Sequence, residues 1–169
     1  LNQKDTGYTF ISNINFIGQQ LSFGKYNASR VSAWDVRVRD CSFSYSPSAQ
    51  SYDQGYGVYS SGLRSIYLFD CRAFLNDGDG FHHENSLPGS YITNCLEMDC
   101  YGFDNGNIDK MFSSTDVVNG FSVHNGVNSL RINCDAWLNR GPNFSDIGAN
   151  SKSMQVSCNA WNSTASNSD

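Results

Sequence analysis

Residues 77 to 84 read Asp77-Gly78-Asp79-Gly80-Phe81-His82-His83-Glu84, the densest group of titratable side chains in the chain. Three readings suit it. Asp77 and Asp79 can offer oxygens to calcium, which takes about six to eight oxygen ligands. Asp77, Asp79, His82 and Glu84 can instead act as catalytic acids and bases. As a glycosidase pair, two of the carboxylates would stand about 5–9.5 Å apart, and the imidazole would be a general base. The third reading is plain: Asn76-Asp77-Gly78-Asp79 is good turn chemistry, so the carboxylates can belong to a solvated turn. His82 and His83 are adjacent. On a strand they face opposite ways, so at most one of them joins Asp79 or Glu84.

Aromatic residues form the second signal. Tyr45, Tyr52, Tyr56 and Tyr59 crowd one stretch among Ser, Gln and Asp. Sugars present apolar faces that pack on aromatic rings while polar tips stay wet. Tyr52, Tyr56, Tyr59, Tyr101, Trp137 and His83 are therefore the candidate substrate-binding residues. Phe74, Trp137 and Trp161 fall in one column of the repeat described below, and a buried aromatic stack is the favoured reading of that column. Ser46–Tyr56 lengthens its repeat and should bulge from the scaffold, where functional residues often sit.

The bulk composition narrows the class. The chain has 169 residues, a formal net charge of −5, 16% charged residues and no basic cluster, which speaks against a nucleic-acid partner. No apolar run reaches the roughly 20 residues of a membrane span, so no membrane insertion is expected. The opening residues do not read as a signal peptide and do not start with Met, so the expectation is a piece of something longer: one domain over 1–162 and a polar tail over 163–169.

What must position these side chains is a repeat. Asx-Cys units recur at Asp40-Cys41, Asp70-Cys71, Asn94-Cys95 and Asn133-Cys134, with Ser157-Cys158 as a variant and Asn15-Phe16 as a degenerate first member. Each follows a short β-like run. A second shared unit follows the first: Gly80-Phe81, Gly102-Phe103, Gly120-Phe121 and Asn143-Phe144. The longest step, from Cys95 to Cys134, predicts an extra degenerate coil near Met111. Repeats of this length cannot bury an apolar side alone, but stacking them builds a continuous core with like residues on like. The expectation is an all-β chain forming a parallel β-helix of about six to seven coils, with Phe and Asn ladders. Helical solenoids and β-sandwiches fit worse, because the periodic segments are short, β-prone and broken by Gly, Asn and Asp. The spacing has no CxxC pair, so the six cysteines read as small buried residues with free thiols.

The run Asp70-Cys71-Arg72-Ala73-Phe74-Leu75-Asn76-Asp77-Gly78-Asp79-Gly80-Phe81 resembles the coil repeat of right-handed pectate-lyase-like β-helix enzymes, the calcium-dependent pectate lyases and mannuronan C5-epimerases. Asn133-Cys134-Asp135-Ala136-Trp137-Leu138-Asn139 is similar to the same pattern. The likeness covers roughly residues 34 to 162. Two departures stand out. Where the epimerases carry Tyr-Gly-Phe-Asp-Pro-His, this chain has Gly55-Tyr56-Gly57-Val58-Tyr59-Ser60. A near copy, Tyr101-Gly102-Phe103-Asp104, lacks the Pro-His. No basic residue is clearly placed for a lyase, with Lys110 and Arg131 the candidates. In its low charge and its many Ser and Asn, the chain also resembles phage tailspike and tail-appendage proteins. The resemblances imply a polysaccharide partner, calcium as cofactor, a homotrimer and a place on a virion surface or outside the cell. They leave open recognition, depolymerisation or epimerisation, and a purely structural spacer.

Overall fold

The computed structural model describes residues 6–24, 32–47, 55–85, 94–106, 118–125, 127–148 and 151–162. The chain passes through β1 (Thr6–Ser12), β2 (Asn15–Ile17), β3 (Leu21–Gly24), β4 (Ser32–Arg39), β5 (Ser42–Ser44) and β6 (Val58–Ser61). It continues through β7 (Leu63–Phe69), β8 (Arg72–Phe74), β9 (Phe81–Glu84), β10 (Asn94–Met98), β11 (Tyr101–Phe103) and β12 (Phe121–His124). The last strands are β13 (Asn128–Ile132), β14 (Asp135–Trp137), β15 (Phe144–Ile147), β16 (Lys152–Val156) and β17 (Asn159–Trp161).

Three sheets result. Sheet A is β1-β4-β7-β10-β13-β16, sheet B is β2-β5-β8-β11-β14-β17 and sheet C is β3-β6-β9-β12-β15. Every neighbouring pair is parallel. The chain visits the sheets in turn, so each strand pairs with the one three places later, the arrangement of a β-solenoid. The described residues contain strands and no helix.

The Asx-Cys motif has a local cause. Asn13, Asp40, Asp70, Asp99, Asn133 and Ser157 all have φ between 50° and 57° at the corner from sheet A to sheet B. Short polar side chains tolerate that left-handed backbone better than other L residues do. At the five corners after Asn13 the next residue is a cysteine. Its thiol donates to the carbonyl two residues back: Cys41 to Arg39 at 3.2 Å, Cys71 to Phe69 at 3.2 Å, Cys100 to Met98 at 3.3 Å, Cys134 to Ile132 at 3.5 Å and Cys158 to Val156 at 3.6 Å. All six thiols are free.

The register corrects the alignment in three places. The fourth corner is Asp99-Cys100, whereas Asn94-Cys95 lies within sheet A, with Cys95 opposite Ile66 and Ser129. The first corner is Asn13-Ile14, since Asn15 pairs with Ser42. β10 pairs directly with β13, so no extra coil separates them; Met111 itself lies outside the described residues.

Ladders fill the interior. Phe81, Phe121 and Phe144 stack at 4.9 and 5.1 Å. Asn76 donates its amide to Asn105 Oδ1 at 3.0 Å, and Asn105 to Asn139 Oδ1 at 2.9 Å. The glycines before the Phe ladder are set by close approach. A Cβ on Gly57 or Gly80 would lie 2.7 Å from the next glycine's carbonyl oxygen. Gly102-Phe103 belongs elsewhere. Phe103 sits on the outer side of sheet B between Phe74 (5.1 Å) and Trp137 (4.3 Å), and Trp161 extends the column at 5.0 Å. That aromatic column is half-buried and outward, not interior, and Trp161 is 42% exposed.

Candidate functional site

In β9, Phe81 and His83 point into the core, and His82 and Glu84 point to the outer face of sheet C, as alternation demands. Parallel pairing sets their neighbours. One row is Tyr59–His82–Ser122 and the next is Ser61–Glu84–His124. Asp79, at the turn leading into β9, reaches the first row.

The result is a line of hydrogen bonds. His82 Nδ1 donates to Asp79 Oδ2 at 2.8 Å, and His82 Nε2 faces Glu84 Oε2 at 3.4 Å. The Tyr59 hydroxyl donates to Glu84 Oε1 at 2.5 Å. Asp79 also accepts from Ser122 Oγ at 2.5 Å, from the Asn119 backbone N–H at 2.6 Å and from the Asn119 amide at 3.1 Å. Rings close over the line. Tyr56 stacks on His82 at 4.2 Å and on Tyr59 at 5.6 Å, and His124 tilts against His82 at 4.4 Å.

Burial and charge oppose each other here. Burial pushes the Asp79 carboxyl up, but the hydrogen bond and charge of His82 bring it below its usual range. Burial pushes His82 down, and Asp79 and Glu84 on either side more than reverse this, so its pKa is raised. Glu84 follows the same logic: burial raises it, and the bonds from His82 and Tyr59 leave it lowered. His124 receives weaker support from the same carboxylates. Burial and the charge of His82 depress it to about 4. His82 thus lies between two carboxylates that favour its protonated form, with the His124 imidazole and the Tyr59 phenol at the edge.

A second chain of polar groups lies on the other side of the strand. Ser60 Oγ is 2.6 Å from His83 Nδ1, and His83 Nε2 is 3.1 Å from Glu97 Oε1. Arg131 Nε donates to Glu97 Oε2 at 2.7 Å. All four residues are fully buried. Burial raises Glu97, but Arg131 and His83 hold it below the ordinary carboxylate value. The guanidinium packs over the Phe121 and Phe144 rings at 5.6 and 5.5 Å.

The sequence-derived candidates divide accordingly. Asp79, His82, Glu84, Tyr56 and Tyr59 come together. Asp79 is buried, so the solvated-turn reading fails for it. Asp77 is half-buried on that turn, its N–H bonded to Ser46 O at 3.0 Å, and is not part of the cluster of possible metal ligands. His83 joins the interior chain. Tyr101 and Trp137 are on sheet B, in edge contact at 6.5 Å. Tyr52 and Lys110 lie outside the described residues. His124, Ser122 and Asn119 were missed. They sit some 40 residues downstream, and only the pairing of β9 with β12 brings them in.

Calcium does not fit at Asp79. The ligand atoms that gather with its carboxylate are imidazole nitrogens of His82 and His124, whereas calcium seeks a shell of oxygens. Comparison with known protein families, curated proteins and solved structures finds no match to this chain.

Proposed function

We propose that this chain is a polysaccharide-recognising, right-handed β-helix of the pectate-lyase-like kind, a tailspike or receptor-binding fragment of a virion or extracellular protein. The outer face of sheet C would meet the glycan. The observation that carries this reading is the line Tyr59–Glu84–His82–Asp79, a set of charged and hydroxyl groups held on the outer face of a rigid sheet. Carboxylate and phenol oriented in this way can bind sugar hydroxyls. Six free thiols suit a chain that folds in a reducing compartment, as a virion protein does before release. The outer side of sheet A supports self-association, with a homotrimer as the proposed assembly. Phe69, Met98, Ile132 and Val156 line up there through the strand register, and contiguous apolar surface of this kind marks interfaces.

A lyase or epimerase reading rests on the same line, because an imidazole between two carboxylates, with a phenol beside it, can pass a proton. It involves no calcium at Asp79. The test is incubation with capsular and O-antigen glycans, alginate and pectate, followed by product size and the ultraviolet absorbance of unsaturated sugars. Binding without cleavage supports recognition, shortened chains support a hydrolase, and unsaturated products support a lyase. No affinity for any glycan would leave the spacer reading. Glu84→Gln should abolish whichever activity is found.

A further inference from the structure

On the outer face of sheet C, Asp79, His82 and His124 each offer a ligand atom, and these atoms lie within 4.8 Å of one another. Three elements supply them: the turn before β9, β9 itself and β12. We propose that they form a binding site for a borderline divalent cation of the zinc, cobalt or nickel type.

Two independent observations point the same way. The first is the donor set. Two imidazole nitrogens and one carboxylate oxygen match the preference of zinc and its neighbours, and mismatch calcium and magnesium, which seek oxygen. The second is His124 Nε2. Among the described residues it is a buried ring nitrogen with no hydrogen-bond partner. A buried polar atom normally has a partner, and its absence costs free energy. A metal ion accepts the lone pair that no donor here satisfies.

The surroundings are suited to hold the ligands in place. Asp79 is oriented by Ser122 and by two bonds from Asn119. Tyr56 packs on the His82 ring. Such outer contacts fix ligand direction before an ion arrives. Binding replaces the proton held between Asp79 and His82, so one proton leaves as the ion enters and no redox step is involved.

The site stands on geometry alone and does not depend on the glycan reading. An ion would occupy the imidazole that the acid–base reading uses, so the two roles can be tested separately.

The experiment is a titration of the chelator-stripped, reduced chain with Zn2+ and then Co2+. Calorimetry gives stoichiometry, and the visible spectrum of the cobalt form reports the ligand type. One ion per chain is expected, without the intense near-ultraviolet band of cobalt–thiolate bonds. His124→Gln should weaken binding by at least about ten-fold. The unsubstituted chain supplies a second readout. It has three histidines, and Zn2+ should shift the ring resonances of His82 and His124 and spare those of His83. Absence of binding would overturn the proposal, as would a thiolate band, unchanged affinity in His124→Gln, or unshifted resonances of His82 and His124.

Discussion

On the outer side of β9, His82 lies between Asp79 and Glu84; on the inner side, one residue along, His83 lies between Ser60 and Glu97. Both are histidine–carboxylate chains built across neighbouring strands of the same solenoid. They differ in where they end. The inner chain runs into Arg131, whose guanidinium is covered by two phenylalanine rings, and its members are sealed from solvent. The connectivity Ser60–His83–Glu97 is that of a serine-hydrolase triad, but no substrate reaches a fully buried hydroxyl. The outer chain runs into Glu84, Tyr59 and His124 at the edge of the packing. Connectivity alone does not make a site; some exposure is needed as well, and of the two carboxylates that end these chains only Glu84 has it. The inner chain is sealed within the stack, and the outer one ends at Glu84 and His124, which are only partly covered.

Cutting the inner chain should produce the largest effect. Arg131→Met leaves Glu97 buried with only His83 beside it, at a cost of about 3–5 kcal/mol, read from the urea midpoint. Adding Glu97→Leu to that variant should recover much of the loss, because an apolar pair replaces an ionic one. If the single and double variants are equally damaged, the pair is not what stabilises this layer.

Acidification should separate the two sides next. The depressed pKa of His124 means that the unfolded chain binds a proton the folded chain refuses. Its contribution to stability is therefore complete above 6.5 and is lost as the pH falls toward about 4. Allowing for partial exposure, the loss is on the order of 2 kcal/mol. His82 has the opposite sign. Its raised pKa gives stability that is complete below 6.5 and fades as the pH rises through the folded value. Asp79 and Glu84 give up their contributions only in stronger acid, below their ordinary values of 3.8 and 4.5. Unfolding midpoints from pH 7 to pH 4, measured in chelator, should fall for the unsubstituted chain and fall less for His124→Gln.

The smallest effect on stability belongs to the outer edge. Tyr59→Phe removes one hydrogen bond to Glu84 and should cost about 1 kcal/mol. Its effect on glycan affinity should exceed its effect on folding. The reverse outcome would make the outer chain as structural as the inner one.

Much of this was legible in the amino-acid order. The Asx-Cys recurrence marked the corners, because left-handed backbone there favours Asp and Asn. Alternation alone placed His82 and His83 on opposite faces. The alignment slipped at Asn94-Cys95, which imitates a corner inside a strand, and at Gly102-Phe103, which imitates the glycine–phenylalanine column. Both errors have one cause. Turn lengths between strands vary, and only hydrogen-bond register says which residue stands beside which. For the same reason Glu97 and Arg131 gave no sign of being a buried pair. They are 34 positions apart in sequence and directly opposite in sheet A.

The corner cysteines also furnish a clock for how the stack comes apart. Cys41, Cys71, Cys100, Cys134 and Cys158 mark successive layers, and only Cys158, in the last one, is incompletely covered. A solenoid held by nearest-neighbour contacts frays from its ends. A thiol reagent supplied under native conditions should modify Cys158 first and Cys71 and Cys100 last. The sequence of labelling rates would then read out, layer by layer, the opening of the solenoid.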